Sequence, residues 1–291
     1  MPKRYNRKRR DPKAVQKEVD GLIQQIDQGI AALTSSEDWA TWLKWQGAFT
    51  DYSAGNTMLI AMQCPHATRV AGVKAWNALG RKVIKGSKSI RILAPKTYKA
   101  TEQDSSGNDV ETYRCAGFRS IGVFDFSQTE GEELPARPYQ IGIEGEEDNG
   151  LFDDLKAFSA GNECPVEIED IEGAALGYYQ PFLHRIAINA GMPRARMAHT
   201  LAHEVAHSLM HRSDGTADGR NPLHLTRGIK ELEAESVAYI VCNAAGINPG
   251  DCSFGYIADW NGKKTRDELK ESTARIKSTA RDIIKALKPA K

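Results

Sequence analysis

The chain is poor in cysteine. It has five, at positions 64, 115, 164, 242 and 252, an odd number with no Cys-x-x-Cys pair. That spacing excludes a cysteine-built zinc site and argues against a disulfide framework, so a reducing cytoplasm is the expected compartment. Long apolar runs are also missing. Nothing approaches the roughly 20 apolar residues needed to cross a bilayer. No apolar segment follows the basic stretch 1–10, as it would in a secretory signal. No internal repeat is present. Acidic residues are scarce over the first hundred positions, where 18 Lys and Arg face 7 Asp and Glu, a net of +11. Residues 101–150 are net −9 and the remainder is nearly neutral, so the overall +1 hides a sharp split. Such a split implies different partners for the two halves and makes the basic half a nucleic-acid candidate. At 291 residues the chain has room for two ordinary domains.

What is present is His-Glu-x-x-His, at His203-Glu204-Val205-Ala206-His207. On a helix, residues four apart project from one face, so both imidazoles can reach one Zn²⁺ and leave coordination positions open. Glu204 can lie beside the ion without ligating it and act as proton acceptor. Met197, Leu201, Ala202, Val205, Ala206, Leu209 and Met210 mark the helix as buried. A third ligand is offered by Glu231-Leu232-Glu233-Ala234-Glu235, which opens a second helical stretch. Glu231 and Glu235 share one face, and Glu233 points away from them. Glu231 is assigned as ligand and Glu235 as acceptor for the other N–H of a ligand histidine; the reverse assignment stays open. His199 and His211 continue the four-residue spacing. His211 is read as a C-terminal residue favoured by the helix dipole, or as a group behind a ligand. His199 is read as a partly exposed surface residue. No oxyanion-stabilising residue is assigned; His224, Tyr178 and Tyr179 are candidates among others.

Along the chain, residues 1–11 read as a disordered basic arm. Helices are expected over 13–33, 39–49, 57–63 and 70–79. Strands are expected at 83–84, 90–95, 110–115 and 120–126, forming an antiparallel sheet. This gives a domain over 12–129, an acidic linker over 130–150, and a second domain over 151–291. Tyr52, Asn56, Trp76, Arg81, Lys85, Lys88 and Arg91 interleave aromatics, an amide and cations. Surfaces of that kind bind single-stranded nucleic acid, with bases on aromatic faces and cations along the phosphates. In the second domain a helix over 151–160, a strand at 166–168 and a hairpin around Gln180-Pro181 precede the metal helix. A last helix spans 265–287. A small sheet before the metal helix is the scaffold of a zinc peptidase, with an edge strand able to pair with an extended peptide. The polar segment 213–221 is expected as a loop near the site.

These residues carry a family likeness. The stretch Phe49 to Ile60, Ala67 to Gly72, Trp76, Leu79-Gly80-Arg81, Val83, Lys85-Gly86, Lys88 and Ile92 to Pro95 resembles the N-terminal single-stranded-DNA-binding domain of ArdC-type antirestriction proteins. Val123 to Thr129 resembles the segment between that family's domains. Leu201 to His211 and Glu231 to Glu235 resemble its zincin-like metallopeptidase domain, related to the ImmA/IrrE peptidases. The resemblance implies an α+β protein: a helical, antiparallel-sheet DNA-binding domain followed by a zincin-like domain. It implies a plasmid- or phage-type protein that binds single-stranded DNA with little sequence preference. One Zn²⁺ per chain and a peptidase acting on host defence proteins are implied as well. A different reading is a non-catalytic DNA-protecting protein with a structural zinc site, in which Glu204 would have no purpose.

Overall fold

The computed structural model describes residues 11–33, 35–103, 109–134, 147–212, 225–247 and 263–287. The expected basic arm, most of the acidic linker, the loop 213–221 and His224 lie outside them. The protein is α+β and divides into two compact units that do not follow chain order. One comprises Met1–Gly29 and Met58–Glu133, the other Ile30–Thr57 and Leu134–Lys291.

In the first unit, α1 (Pro12–Ala31) has apolar residues at helical spacing, and Val19, Leu22 and Ile26 are buried. Gly29 lets α1 approach α3 (Ala54–Gln63) closely. A Cβ there would lie 2.6 Å from the Met58 side chain. β1 (Val70–Ala71), β4 (Asp109–Asp125) and β3 (Ile90–Gln103) form an antiparallel sheet in the order β1-β4-β3. The expected helix over 70–79 is shorter, α4 (Val73–Ala78), because Val70 and Ala71 pair with Asp125 and Phe124 instead. The two strands expected at 110–115 and 120–126 are one strand. A register shift opposite Pro95–Thr97 bends it, near Gly117 at φ 115°. Ile90, Ile92 and Val123 form the buried base of this ribbon. Asp125 ties the strand end to the chain before it, its carboxylate accepting the N–H groups of Thr68 (2.7 Å), Arg69 (3.1 Å) and Ser127 (2.9 Å). β2 (Arg81–Val83) pairs with β5 (Thr129–Gly131), so residues 130 and 131 belong to a strand of this unit.

In the second unit, α5 (Leu151–Gly161) is started by Asp148, whose carboxylate accepts the Phe152 N–H at 2.9 Å. β6 (Val166–Glu169), β8 (Arg185–Asn189) and β7 (Gly177–Gln180) form a mixed sheet in the order β6-β8-β7. β6 is parallel and β7 antiparallel to β8. Ile186, Ala187 and Ile188 of the central strand are fully buried. α6 (Arg194–Met210) packs on β7 and β8, α7 (Arg227–Ala244) on α6, and α8 (Lys263–Ala286) on α7. Leu201, Val205, Val237, Val241, Ile276 and Ile283 fill the space between. Each such side chain contributes about 1.5–3 kcal/mol by leaving water.

A fifth helix of this unit, among the described residues, comes from far upstream. α2 (Ser36–Ala48), started by the Ser35 hydroxyl on the Asp38 N–H, packs on α7. Trp39 is fully buried and its indole N–H donates to Ser236 Oγ at 2.9 Å. Lys277 of α8 reaches the C-terminal end of α2, donating to the Gln46 carbonyl and to that of Phe49 at 2.8 Å. Among the described residues no helix is long and apolar enough to cross a membrane.

Candidate metal centre

α6 carries His203 and His207 on one face as the spacing requires. α7 begins where the Thr226 hydroxyl accepts the Ile229 N–H at 3.3 Å, which sets Glu231 in its second turn. His199 meets Glu235, His203 meets Glu235 and Glu231, and His207 meets Glu231, so the two helices run antiparallel. His203 Nε2 lies 3.0 Å from His207 Nε2, and Glu231 Oε2 lies 3.4 and 3.6 Å from these two atoms. This triangle fits a small divalent ion. Donors about 2.0–2.1 Å from a tetrahedral zinc lie about 3.3 Å from one another. Among the described residues this is the one cluster of His, Cys, Asp and Glu atoms close enough to hold a metal.

Electrostatics support the same grouping. Burial works against a charged His203, yet hydrogen bonds to Glu231 and Glu235 outweigh it and raise its pKa to about 9. Burial pushes the His207 imidazole down. The two histidines hold the Glu231 carboxyl far below the usual carboxylate range. A dense group of donors that stabilises charge in the absence of an ion is well suited to hold one. Burial pushes the Glu204 carboxyl up, while the Tyr179 backbone N–H, on which it sits, partly restores its acidity.

Glu235 accepts from His203 Nδ1 at 3.0 Å. His199, read as a surface residue, is half-buried with Nε2 3.4 Å from Glu235. His211 closes α6 and turns back, its Nδ1 2.9 Å from His207 Nδ1. Two residues the sequence reasoning did not use stand behind it. Glu233, fully buried, is 3.0 Å from His211 Nε2, and Arg275 of α8 donates to Glu233. The middle acid of Glu231-x-Glu233-x-Glu235 is visible in the sequence; its burial and its partners are not.

The centre opens on a groove of about 600 Å³ lined by Gly177, Tyr178, Tyr179 and Pro181 of the β7 side and by Arg227 and Lys230 of α7. Gly177 permits this arrangement, because a Cβ would lie 2.8 Å from Thr200 of α6. Tyr178 donates its hydroxyl to Glu169 at 2.6 Å and the Tyr179 hydroxyl meets His184 at 2.9 Å. Neither hydroxyl is directed at the three ligand atoms.

The cation–aromatic set fares differently. Trp76 is 1% exposed and its indole N–H donates to the Phe124 carbonyl at 2.9 Å. Its ring is core and cannot stack on a base. Arg81 is 5% exposed, stacked on Phe126 and bonded to Thr129, Gly131 and Glu132. It pins β2 to β5 and has no face for phosphate. Arg91 pairs with Glu18 at 2.6 Å. Lys85 and Lys88 are exposed between β2 and β3. Tyr52 and Asn56 are half-buried and belong to the second unit, apart in chain organisation from the other five.

Comparison with known proteins divides the chain in sequence order, so residues 30–57 fall inside the first match although they belong to the second unit. Residues 12–132 match the N-terminal domain of the anti-restriction factor ArdC, and residues 164–242 match the IrrE N-terminal-like domain. The metal-free crystal structure of the antirestriction protein ArdC from plasmid R388 superposes with a TM-score of 0.55 at 19% identity, covering 91% of this chain and 95% of that one. Its Mn(II)-bound form gives 0.53 at 18% identity, covering 91% and 96%. An uncharacterized protein of Bacillus anthracis is 24% identical over 97% of this chain, which spans only 54% of that protein's length. The chain thus combines an ArdC-type N-terminal domain, over residues 12–132, with an IrrE N-terminal-like domain, over residues 164–242.

Proposed function

We propose that the IrrE-like part is a zinc-dependent peptidase and that the ArdC part binds single-stranded DNA. Together they protect incoming plasmid or phage DNA from host restriction. The observation that carries the enzymatic half is the convergence of His203, His207 and Glu231, with Glu204 beside them, at the floor of an open groove. Two imidazoles and one carboxylate suit zinc and leave a position for a reactant. The bound ion would polarise a peptide carbonyl and make water acidic enough to attack near neutral pH. Glu204 is the proton acceptor, and its raised pKa suits a group that must also return the proton to the leaving amine. Glu235 orients His203 through Nδ1. β7 is an edge strand among the described residues and borders the groove, so an extended polypeptide can add to it as a further strand.

The DNA half draws support from the ArdC domain match, from the +11 charge of the first hundred residues and from the exposed Lys85 and Lys88. Glu204→Gln in the full chain tests the enzymatic half. It is expected to retain one zinc and the wild-type melting curve while cleavage of unfolded casein falls by at least about 10²-fold. Unchanged cleavage, or a wild-type chain without metal, would overturn the reading.

A further inference from the structure

We propose that Glu233 is a positioning residue for the metal: acting through His211, it fixes His207 in the tautomer whose Nε2 lone pair faces the ion. This rests on the metal reading above, and the test below separates the two.

The geometry is a chain of single contacts. His207 Nδ1 lies 2.9 Å from His211 Nδ1, and His211 Nε2 lies 3.0 Å from Glu233 Oε2. The His211 and Glu233 side chains are 3% and 0% exposed, so water does not offer substitute partners. The other oxygen of Glu233 is already engaged. Oε1 accepts the Ser272 hydroxyl at 2.5 Å and the Arg275 guanidinium, Nε at 3.0 Å. α8 therefore holds the carboxylate with one oxygen aimed at His211.

With His211 neutral, one arrangement of protons satisfies every contact. Glu233 can only accept, so His211 carries its proton on Nε2. The bare Nδ1 of His211 must then receive a proton, and His207 supplies it from its own Nδ1. His207 Nε2 is left with a lone pair directed at Glu231 and His203, as a ligand needs. The two metal histidines are thus set by different means. His203 meets a carboxylate directly, at Glu235, whereas His207 meets one at a remove, through a second imidazole.

Glu233→Gln would invert the arrangement rather than merely weaken it. A carboxamide has one acceptor oxygen, which Arg275 and Ser272 claim, so its NH₂ turns to His211. His211 must then accept on Nε2 and carry the proton on Nδ1. That proton faces His207 Nδ1 and drives the His207 proton to Nε2, where it blocks the metal. His211→Phe removes the link without inverting it.

The experiment is a Zn²⁺ titration of the full chain against a chromophoric chelator. Measured are the wild type, Glu233→Gln, His211→Phe and the double variant, each checked for a folded spectrum. Glu233→Gln is expected to bind zinc about 10–100-fold more weakly. His211→Phe should lose less, and the double variant should match His211→Phe, because the amide has nothing left to invert. In zinc-loaded wild type, ¹⁵N NMR should show His211 as a neutral imidazole protonated on Nε2. A loss from Glu233→Gln that persists in full in the His211→Phe background would mark a merely structural effect and overturn the proposal. Unchanged affinity in Glu233→Gln, or His211 protonated on Nδ1, would overturn it as well. Should Glu233→Gln not fold, unchanged affinity in His211→Phe decides against it. A wild type that binds no zinc would instead fail the metal reading itself.

Discussion

Each unit draws an arginine away from water, Arg81 buried and Arg275 half-buried, and the two are used differently. Arg81 of the first unit has only neutral partners. It donates from Nε to Thr129 Oγ1 at 2.8 Å, from Nη2 to the Thr129 carbonyl at 2.9 Å, and from Nη1 to Gly131 at 3.2 Å, with its plane over Phe126. Arg275 of the second unit faces a buried carboxylate, and that carboxylate leads through His211 to His207. The first guanidinium fastens one strand pair. The second balances a charge whose other end is at the candidate metal centre. A cation held away from water therefore signals function only through what its partner touches next.

The comparison can be broken most forcefully at Arg275. Arg275→Met leaves Glu233 buried without its cation, and urea unfolding should show a loss of about 3–5 kcal/mol. Adding Glu233→Gln should recover much of it, because no unpaired charge remains. A double variant as unstable as the single would show that the pair contributes packing and little electrostatics. Arg81→Met strands carbonyls and a hydroxyl but no charge, so a smaller loss of about 2–3 kcal/mol is expected, with zinc affinity untouched. Zinc affinity that falls with Arg81→Met would erase the distinction.

Lys277 sharpens the comparison, because it bonds only to carbonyls, as Arg81 largely does, yet can release its proton. Burial, with Arg281 nearby and only partly offset by Asp51, lowers its pKa to about 7 from 10.5. Between those values the unfolded chain binds more protons than the folded one, so stability rises with pH across that window. Relative to Lys277→Met, the wild type should lose stability as pH falls from about 10 to 7 and change little below. Denaturant titrations at several pH values measure it, and a flat difference from pH 6 to 10 would remove the buried-amine account. The smallest effect is expected at the exposed pair of the first unit. Lys85→Ala with Lys88→Ala should leave stability within about 0.5 kcal/mol. If both contact phosphates, the pair should make the salt dependence of single-stranded oligonucleotide binding shallower by about 1.4 in log–log slope.

What could be read from sequence follows the range of the forces involved. The convergence of His203 and His207 needs only one turn of helix, and Glu231 and Glu235 need only another. Local spacing therefore placed them. Trp76 and Arg81 are decided by partners some 48 residues away, the Phe124 carbonyl and Thr129. Nothing in the local pattern tells a ring that faces a strand from one that faces water. His211 is readable as a residue behind a ligand, but Glu233 turns away from the ligands on its own helix, and only the meeting of the two helices makes them neighbours. The same limit hid β1, where Val70 and Ala71 continue a helical pattern but find β4.

α2 has a consequence for how the chain is made. Its Trp39 meets Ser236 across 197 positions, and the Gln46 carbonyl waits for Lys277 across 231. At about 5–20 residues per second of synthesis, α2 leaves the ribosome roughly 10–40 seconds before α7 exists to cover it. Throughout that interval an amphipathic helix with Trp39, Trp42 and Leu43 on its inward side is without its cover. The later unit cannot be completed by its own segment alone, so the apolar side of α2 stays uncovered until α7 and α8 are made.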